Sequence, residues 1–392
     1  MNPPPSIADS NDRPTIESAS TPSELKALAD QWDTLAFAMP QESPFIAYSW
    51  VDAFARCHLA ADQAFLCIVA RNGQELVGLI PLICTNKNVP GVRVSSLATP
   101  YDPHITSVDF VLDKSNSQET IRKLLAGISE SCPRWVALRL QRIPHLSPTL
   151  QTVRRGISGH CCLIDDAGAG SYIETEGDIA QYMDSLGNNH RRNLRKANSR
   201  LKNQGNISVE FVTGNKVTDE HYEQFLQLEL AGWKGRRKTA ILANDSLRSS
   251  YSSAVDRLKS SGHIEFHFLR CNDRLLAAHL ATRIGSTVTV VKIAFDESQS
   301  RLSPGALLFE RLVQRSFEDP AVRIIDCLTD MAWHRPWKMK RRQYYDLTII
   351  PQRLVPILME YLPLRAAQFV RSVPWLYRLA RRGRTTGAGE SA

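Results

Sequence analysis

The chain has 392 residues, more than one ordinary core takes up, and points to two domains of roughly 150–200 residues each. Its 43% hydrophobic and 22% charged residues exclude a disordered or fibrous protein, and no apolar run reaches the ~20 residues of a bilayer span. The net charge of +8 gathers in residues 190–202 and in the tail from Arg365 to Arg384, which marks local surfaces for phosphates, anionic lipids or RNA.

Residues 1–21 are polar and proline-rich and read as a disordered leader without a secretory signal. Apolar residues at spacings of three and four predict helices over Pro22–Ala38, through Leu25, Leu28, Trp32 and Leu35, and over Ala47–His58. Phe65–Ala70 and Glu75–Ile83 read as a hairpin turning at Asn72-Gly73. A helix over Gln118–Ile128 and strands over Trp135–Leu140 and His160–Ile164 complete a first domain, 22–165. The run Asp165–Gly170 (DDAGAG) lacks the spacing of a phosphate loop and reads as a flexible linker. Eight cysteines without a C-x-x-C pair predict reduced thiols in a cytoplasmic protein, and no zinc site or disulfide framework.

The second domain, 171–352, opens with a helix capped by Asp178 that continues through the basic run to Gly205. A strand over Ile207–Val212 and helices over His221–Gly232 and Ser246–Ser260 follow. Three consecutive strands, Ile264–Arg270, Leu275–Ile284 and Thr287–Ala294, precede a helix over Pro304–Phe317 and strands over Val322–Cys327 and Tyr345–Ile350. The hairpins at 65–80 and 266–280 suggest an internal repeat, with Asn72 set against Asn272, Leu76 over Leu276, Gly78 over Ala278 and Ile80 over Leu280.

The most informative stretch is AFDESQSRLSPGALL, where a strand runs through a short loop into a long helix. Ser303 is expected as its N-cap, Pro304 as its first residue, and Gly305 leaves room for a close approach to the backbone. A helix start of this kind holds a pyrophosphate, with Arg301 beside it; an ordinary capped helix is the plainer reading.

Taken with SPFIAYSWVDAFARC (43–57), the basic helix RRNLRKANSRLKNQG (191–205) and LELAGWKGR (228–236), this stretch resembles the GNAT superfamily. The nearest likeness is to the CelD/BcsL-like acetyltransferases found beside bacterial polysaccharide biosynthesis, and a more distant one is to Fem-type transferases. The resemblance implies an α/β (α+β) fold of tandem GNAT-like domains, each a mixed, mostly antiparallel sheet flanked by helices. The first copy is degenerate and the second carries the site. It further implies acetyl-CoA, or another acyl-CoA, as co-substrate, no metal, and direct transfer to an amine or hydroxyl of a sugar or other small acceptor. Its cofactor contacts would be Ala294, Arg301, Ser303, Pro304, Gly305, Ala306 and Leu307. The family's Asp, Gly and Tyr-Lys near the domain end are here Asp326, Asp330, Trp333 and Trp337-Lys338 without the glycine.

On the acceptor side Glu229, four residues before Trp233, is either a general base or a solvated helix glutamate. Asp326, at a strand end, is either a cap or a second catalytic carboxylate. Arg191, Arg195, Trp233, Lys234, Trp337 and Lys338 are candidates for acceptor binding. His263 and His267 in HIEFH sit on a strand, which lacks the helical geometry of a zinc pair. The tail, 353–392, mixes apolar and basic residues, and its prolines exclude one long helix. It reads as a peripheral contact with an anionic inner-membrane surface through Trp375, Tyr377, Arg381, Arg382 and Arg384, or as packing on the second domain. Two other readings remain: a Fem-like enzyme that uses aminoacyl-tRNA, although nucleic acid is not the expected partner, and a non-catalytic scaffold of a polysaccharide machine.

Overall fold

A computed structural model describes residues 14–372, apart from 90–91, 103–105 and 115–116. The first half runs β1 (Thr15–Ala19), α1 (Pro22–Phe37), α2 (Tyr48–Cys57), β2 (Gln63–Asn72), β3 (Glu75–Val89), β4 (Val92–Ala98), β5 (Val111–Leu112), α3 (Ser117–Ser131), β6 (Trp135–Pro144), α4 (Pro148–Arg155) and β7 (His160–Glu174). The second runs α5 (Ile179–Ser185), α6 (Asn188–Lys202), β8 (Ile207–Thr213), α7 (Asp219–Ala231), α8 (Trp233–Arg236), α9 (Asp245–Ser260), β9 (Ile264–Cys271), β10 (Arg274–Ile284), β11 (Thr287–Phe295), α10 (Pro304–Glu318), β12 (Ile324–Asp326) and β13 (Lys340–Pro351). This is the expected α/β mixture. Its single sheet is antiparallel except where β4 meets β6 and β11 meets β12.

The sheet order is β1-β2-β3-β4-β6-β13-β7-β12-β11-β10-β9-β8, with β5 beside β3. From either end it reads alike: four antiparallel strands, a parallel neighbour, then a closing strand from the other half. β13 pairs with β6, and β7 pairs with β12, so each half finishes the other's sheet. The repeat inferred from the hairpins is therefore present in the topology, but in another register. The two-residue turns are Gly73-Gln74 and Asn272-Asp273, and one-residue bulges follow at Val77 and Leu276. Equivalent residues thus differ by one position from the alignment on Asn72 and Asn272, and a slip of one residue exchanges the two faces of a strand. Asn272 and Asp273 both take positive φ, which a tight hairpin turn of this kind demands, whereas in the first turn Gly73 does so.

Asp165–Gly170, expected as a linker, is the middle of β7. Asp165 and Asp166 pair with Asp346 and Tyr345, and Ala169 and Gly170 with Gln343 and Arg342. Glycine stands at 170 because a Cβ there would come within 2.7 Å of the Leu328 carbonyl oxygen and 2.8 Å of the Tyr344 ring. The small residues serve close packing, not flexibility. The expected leader also needs correction: Thr15–Ala19 is an edge strand on β2, while residues 1–13 lie outside the described residues. The helix expected from Asp178 to Gly205 is two, α5 and α6. It breaks where Leu186 turns inward, 2% exposed, and extended Gly187 opens α6.

Residues 354–372 are helical throughout, contrary to the reading that their prolines break them: Leu354–Pro356, a π-turn over Ile357–Tyr361, then Leu362–Ser372. Pro363 has no N–H for the carbonyl of Met359 and its ring would crowd it, and the widened turn directly before it takes up the misfit. Tyr361 and Leu364 pack on Ala137, Leu163 and Ile350, and Arg139 pairs with Glu360. Trp375, Tyr377, Arg381, Arg382 and Arg384 lie outside the described residues.

Candidate active site

β11 pairs with β12 only over Thr287–Thr289, so beyond Thr289 the sheet opens along one edge of β11. A bulge at Val291 adds local twist to the strand at this opening. The chain then passes a 3₁₀ turn, Glu297–Leu302, into α10. Ser303 is not the side-chain cap expected. It sits in the left-handed region (φ 50°), makes no capping hydrogen bond, and leaves the first turn of α10 without a side chain on its N–H groups. Asp296 does the capping, at the turn before, accepting from the N–H of Ser298 at 3.0 Å. A Cβ on Gly305 would meet only Phe295, at 3.8 Å, so no protein atom requires glycine there.

α6 lies beside this loop. Arg200 donates to the carbonyl of Arg301 at 3.3 Å, and Arg311 on α10 to Asn198 at 3.3 Å. Arg301 is exposed, whereas the side chains of Pro304 and Leu307 are buried in packing, which leaves only backbone for a ligand. Arg191 is tied to Asp184 and Asn188, and Arg195 is exposed on α6.

Glu229, Trp233 and Lys234 come together with Ala294 at the end of β11. With Leu228, Gly232, Ile293, Phe295 and Glu297 they line a cavity of ≈ 60 Å³. Glu229 is 2% exposed, which excludes the solvated reading. Its Oε1 accepts from Lys234 Nζ at 3.0 Å and from Lys292 Nζ at 3.4 Å, and its Oε2 from the N–H of Ile241 at 2.9 Å. Burial alone would raise this carboxyl, but Lys292, Lys234 and the Ile241 N–H together hold it below the usual range. Lys234 Nζ also donates to the carbonyl of Ile293 at 2.8 Å. Glu297 accepts from the N–H of Trp233 at 2.6 Å and pairs with Arg236, which fixes α8 at the cavity mouth.

Lys292 was missed in the sequence, although a lone lysine in the apolar strand VTVVKIAF was a signal. Burial pushes its ammonium down to about 8, with the charge of Glu229 opposing that shift. Its Nζ stands 5.2 Å from the centre of the Tyr251 ring. That ring meets Trp50 of the first half edge-on at 5.1 Å, so the cluster sits where the two halves join. Asp102, from the loop after β4, adds negative charge there.

Asp326 is elsewhere. It pairs in register with Thr289 at the point where the sheet opens, but its Oδ2 accepts from Arg342 at 2.6 Å and its Oδ1 from the N–H of Leu328 at 2.7 Å. Burial raises this carboxyl and Arg342 pulls it back. Trp337 is 1% exposed and wedged between Phe309 and His190, so it offers no face to an acceptor. Lys338 is exposed, with a left-handed backbone after the turn at Ala332–Trp337. His267 bonds Glu265 at 3.0 Å, and among the described residues no three His, Cys, Asp or Glu side chains are placed to hold a metal.

Residues 188–339 match the model of the acetyltransferase (GNAT) domain. No curated protein matches the chain. Among solved structures it is similar to FemX, at 14% identity over 88% of this chain and 100% of that one, with a TM-score of 0.59. It is also similar to a conserved protein of unknown function from Bacteroides thetaiotaomicron, at 12% identity over 86% and 100%, with a TM-score of 0.53. At these identities the likeness is one of fold. Residues 188–339 thus match a GNAT acetyltransferase domain, which supports an acyltransferase, and the two halves of the chain repeat one strand order.

Proposed function

We propose that the protein transfers an acyl group, acetyl in the first instance, from coenzyme A to an amine or hydroxyl of a sugar or similar small acceptor in envelope polysaccharide synthesis. The observation that carries the reading is the meeting of Lys292, Glu229 and Lys234 beside Ala294, at the open edge of β11 that leads into α10. The diphosphate of the co-substrate would take the uncapped N–H groups of Gly305 and Ala306, with Arg301 and Arg200 nearby, and its thioester would lie along β11 at the cavity. The open side of Gly305, which the protein does not fill, fits that use.

In this reading Lys292 takes the proton from the attacking acceptor, because a buried ammonium lowered toward neutrality gives up its proton readily enough to be a base. Glu229, already engaged by two ammonium groups and an N–H, holds the lysines in place and is itself a weak base. N–H groups on the open edge of β11 would stabilise the oxyanion, and Trp233, 43% exposed at the cavity mouth, would face the acceptor. Peripheral contact of the tail with an inner-membrane surface is part of the proposal and rests on separate observations. A panel of amino sugars mixed with acetyl-CoA tests it: release of free CoA thiol above the blank is the expected result, and no release with any acceptor counts against it.

The sequence resemblance to Fem-type transferases and the basic helix α6, beside a likeness of fold to FemX over 88% of this chain, favour one second reading, a transferase that uses aminoacyl-tRNA. It requires salt-sensitive tRNA binding, and a protein that ignores tRNA at low salt is not of that kind.

A further inference from the structure

We infer that the C-terminal helix, residues 354–372, docks on an anionic lipid surface through the side it turns away from the sheet. This names the partner of the peripheral contact proposed above, and it stands or falls separately from acyl transfer.

One side of the helix is used by the fold: Tyr361 and Leu364 pack on the sheet, and Glu360 pairs with Arg139. Arg353, just before it, donates to the carbonyls of Pro133 and Trp135 and fixes where the helix starts. The other side is apolar and exposed. Leu354 is 74% exposed, Leu358 54%, Leu362 50% and Phe369 63%. With Val355 these make five of the eleven large exposed hydrophobics among the described residues, so the exposure is concentrated here and is not the scatter of an ordinary surface.

The charge in this part of the sequence is predominantly positive. Residues 353–392 hold seven arginines and two glutamates, with no lysine or aspartate. One of the glutamates, Glu360, is already neutralised by Arg139. Beyond Val370 the sequence continues RSVPWLYRLARRGR, with aromatic and aliphatic residues among the arginines.

Exposed leucines need an apolar phase, and arginines along the same stretch of sequence suit phosphate; the boundary between headgroups and acyl chains of an anionic leaflet supplies both at once. RNA offers phosphate but nothing for aliphatic side chains. Among the described residues no helix is long and apolar enough to cross a membrane, so this one lies along the surface.

The test is co-sedimentation of the full chain with vesicles of phosphatidylcholine, with and without phosphatidylglycerol. Binding is expected only when phosphatidylglycerol is present, and it weakens as salt rises. Leu358→Asp with Leu362→Asp, both at exposed positions, should weaken it at least about tenfold while the circular-dichroism melt stays unchanged; Phe369→Ser, made separately, should weaken it in the same direction. Absence of binding at low salt overturns the inference, as does binding indifferent to the leucine changes. So does a wild-type dimer that the leucine changes make monomeric, since a second copy would then own the face.

Discussion

Lys292 Nζ lies 3.4 Å from Glu229 Oε1, joining the second-half strand that leads into the α10 loop to a helix carboxylate 63 positions earlier in the chain. Neither group keeps its usual titration: burial lowers the lysine to about 8, and the lysines lower the glutamate.

The proton-accepting role makes a signed prediction. Lys292 is charged below about 8 and neutral above it, so acyl transfer should rise with pH through that value and level off beyond it. Lys292→Met should lose about 10²–10⁴-fold in kcat. Because Glu229 raises Lys292, Glu229→Gln should move the rising limb to lower pH, a shift that a purely structural role would not give. Initial rates of thiol release across pH measure both.

Glu229→Ala removes the carboxylate from two lysines, of which Lys292 has 8% of its side chain exposed and Lys234 17%. Breaking a buried pair by deleting one partner costs about 3–5 kcal/mol, read as a fall in the urea midpoint at constant slope.

Asp326→Asn should separate stability from chemistry. Arg342, 7% exposed, loses its partner, so a loss of about 3–5 kcal/mol is expected. Acyl transfer by the folded fraction should stay within about threefold, while a catalytic carboxylate would show the ~10²-fold loss or more of a general base.

The exchange of β7 and β13 predicts that the halves cannot be parted at 165–170. A fragment 171–392 would lack residues 160–170 of β7, which pair with β13, and β6, which pairs with its other edge. It should show no cooperative thermal transition; an autonomous, cooperative melt would contradict the exchange.

The sequence made some of this legible and hid the rest for identifiable reasons. Alternation and turn residues located both hairpins, but the repeat was aligned on Asn72 and Asn272, although Asn272 occupies the place of Gly73. Asp165–Gly170 looked like a linker because small residues serve flexibility and close packing alike; the Leu328 carbonyl and Tyr344 ring that demand Gly170 lie more than 150 residues away. Glu229, Trp233 and Lys234 were found through family likeness, and the cavity unites them with Ala294. Local patterns could not foretell that Asp326 would be taken by Arg342, or that Trp337 would be walled in by Phe309 and His190.

Titration of the full-length protein with acetyl-CoA by calorimetry tests the acyl-CoA site most directly, on wild type and on Gly305→Trp. Saturable binding to wild type is predicted, weakened at least about tenfold by the substitution. Thermal unfolding should change little, since a Cβ at Gly305 meets only Phe295. No binding to wild type, or equal binding by both proteins, would contradict the account.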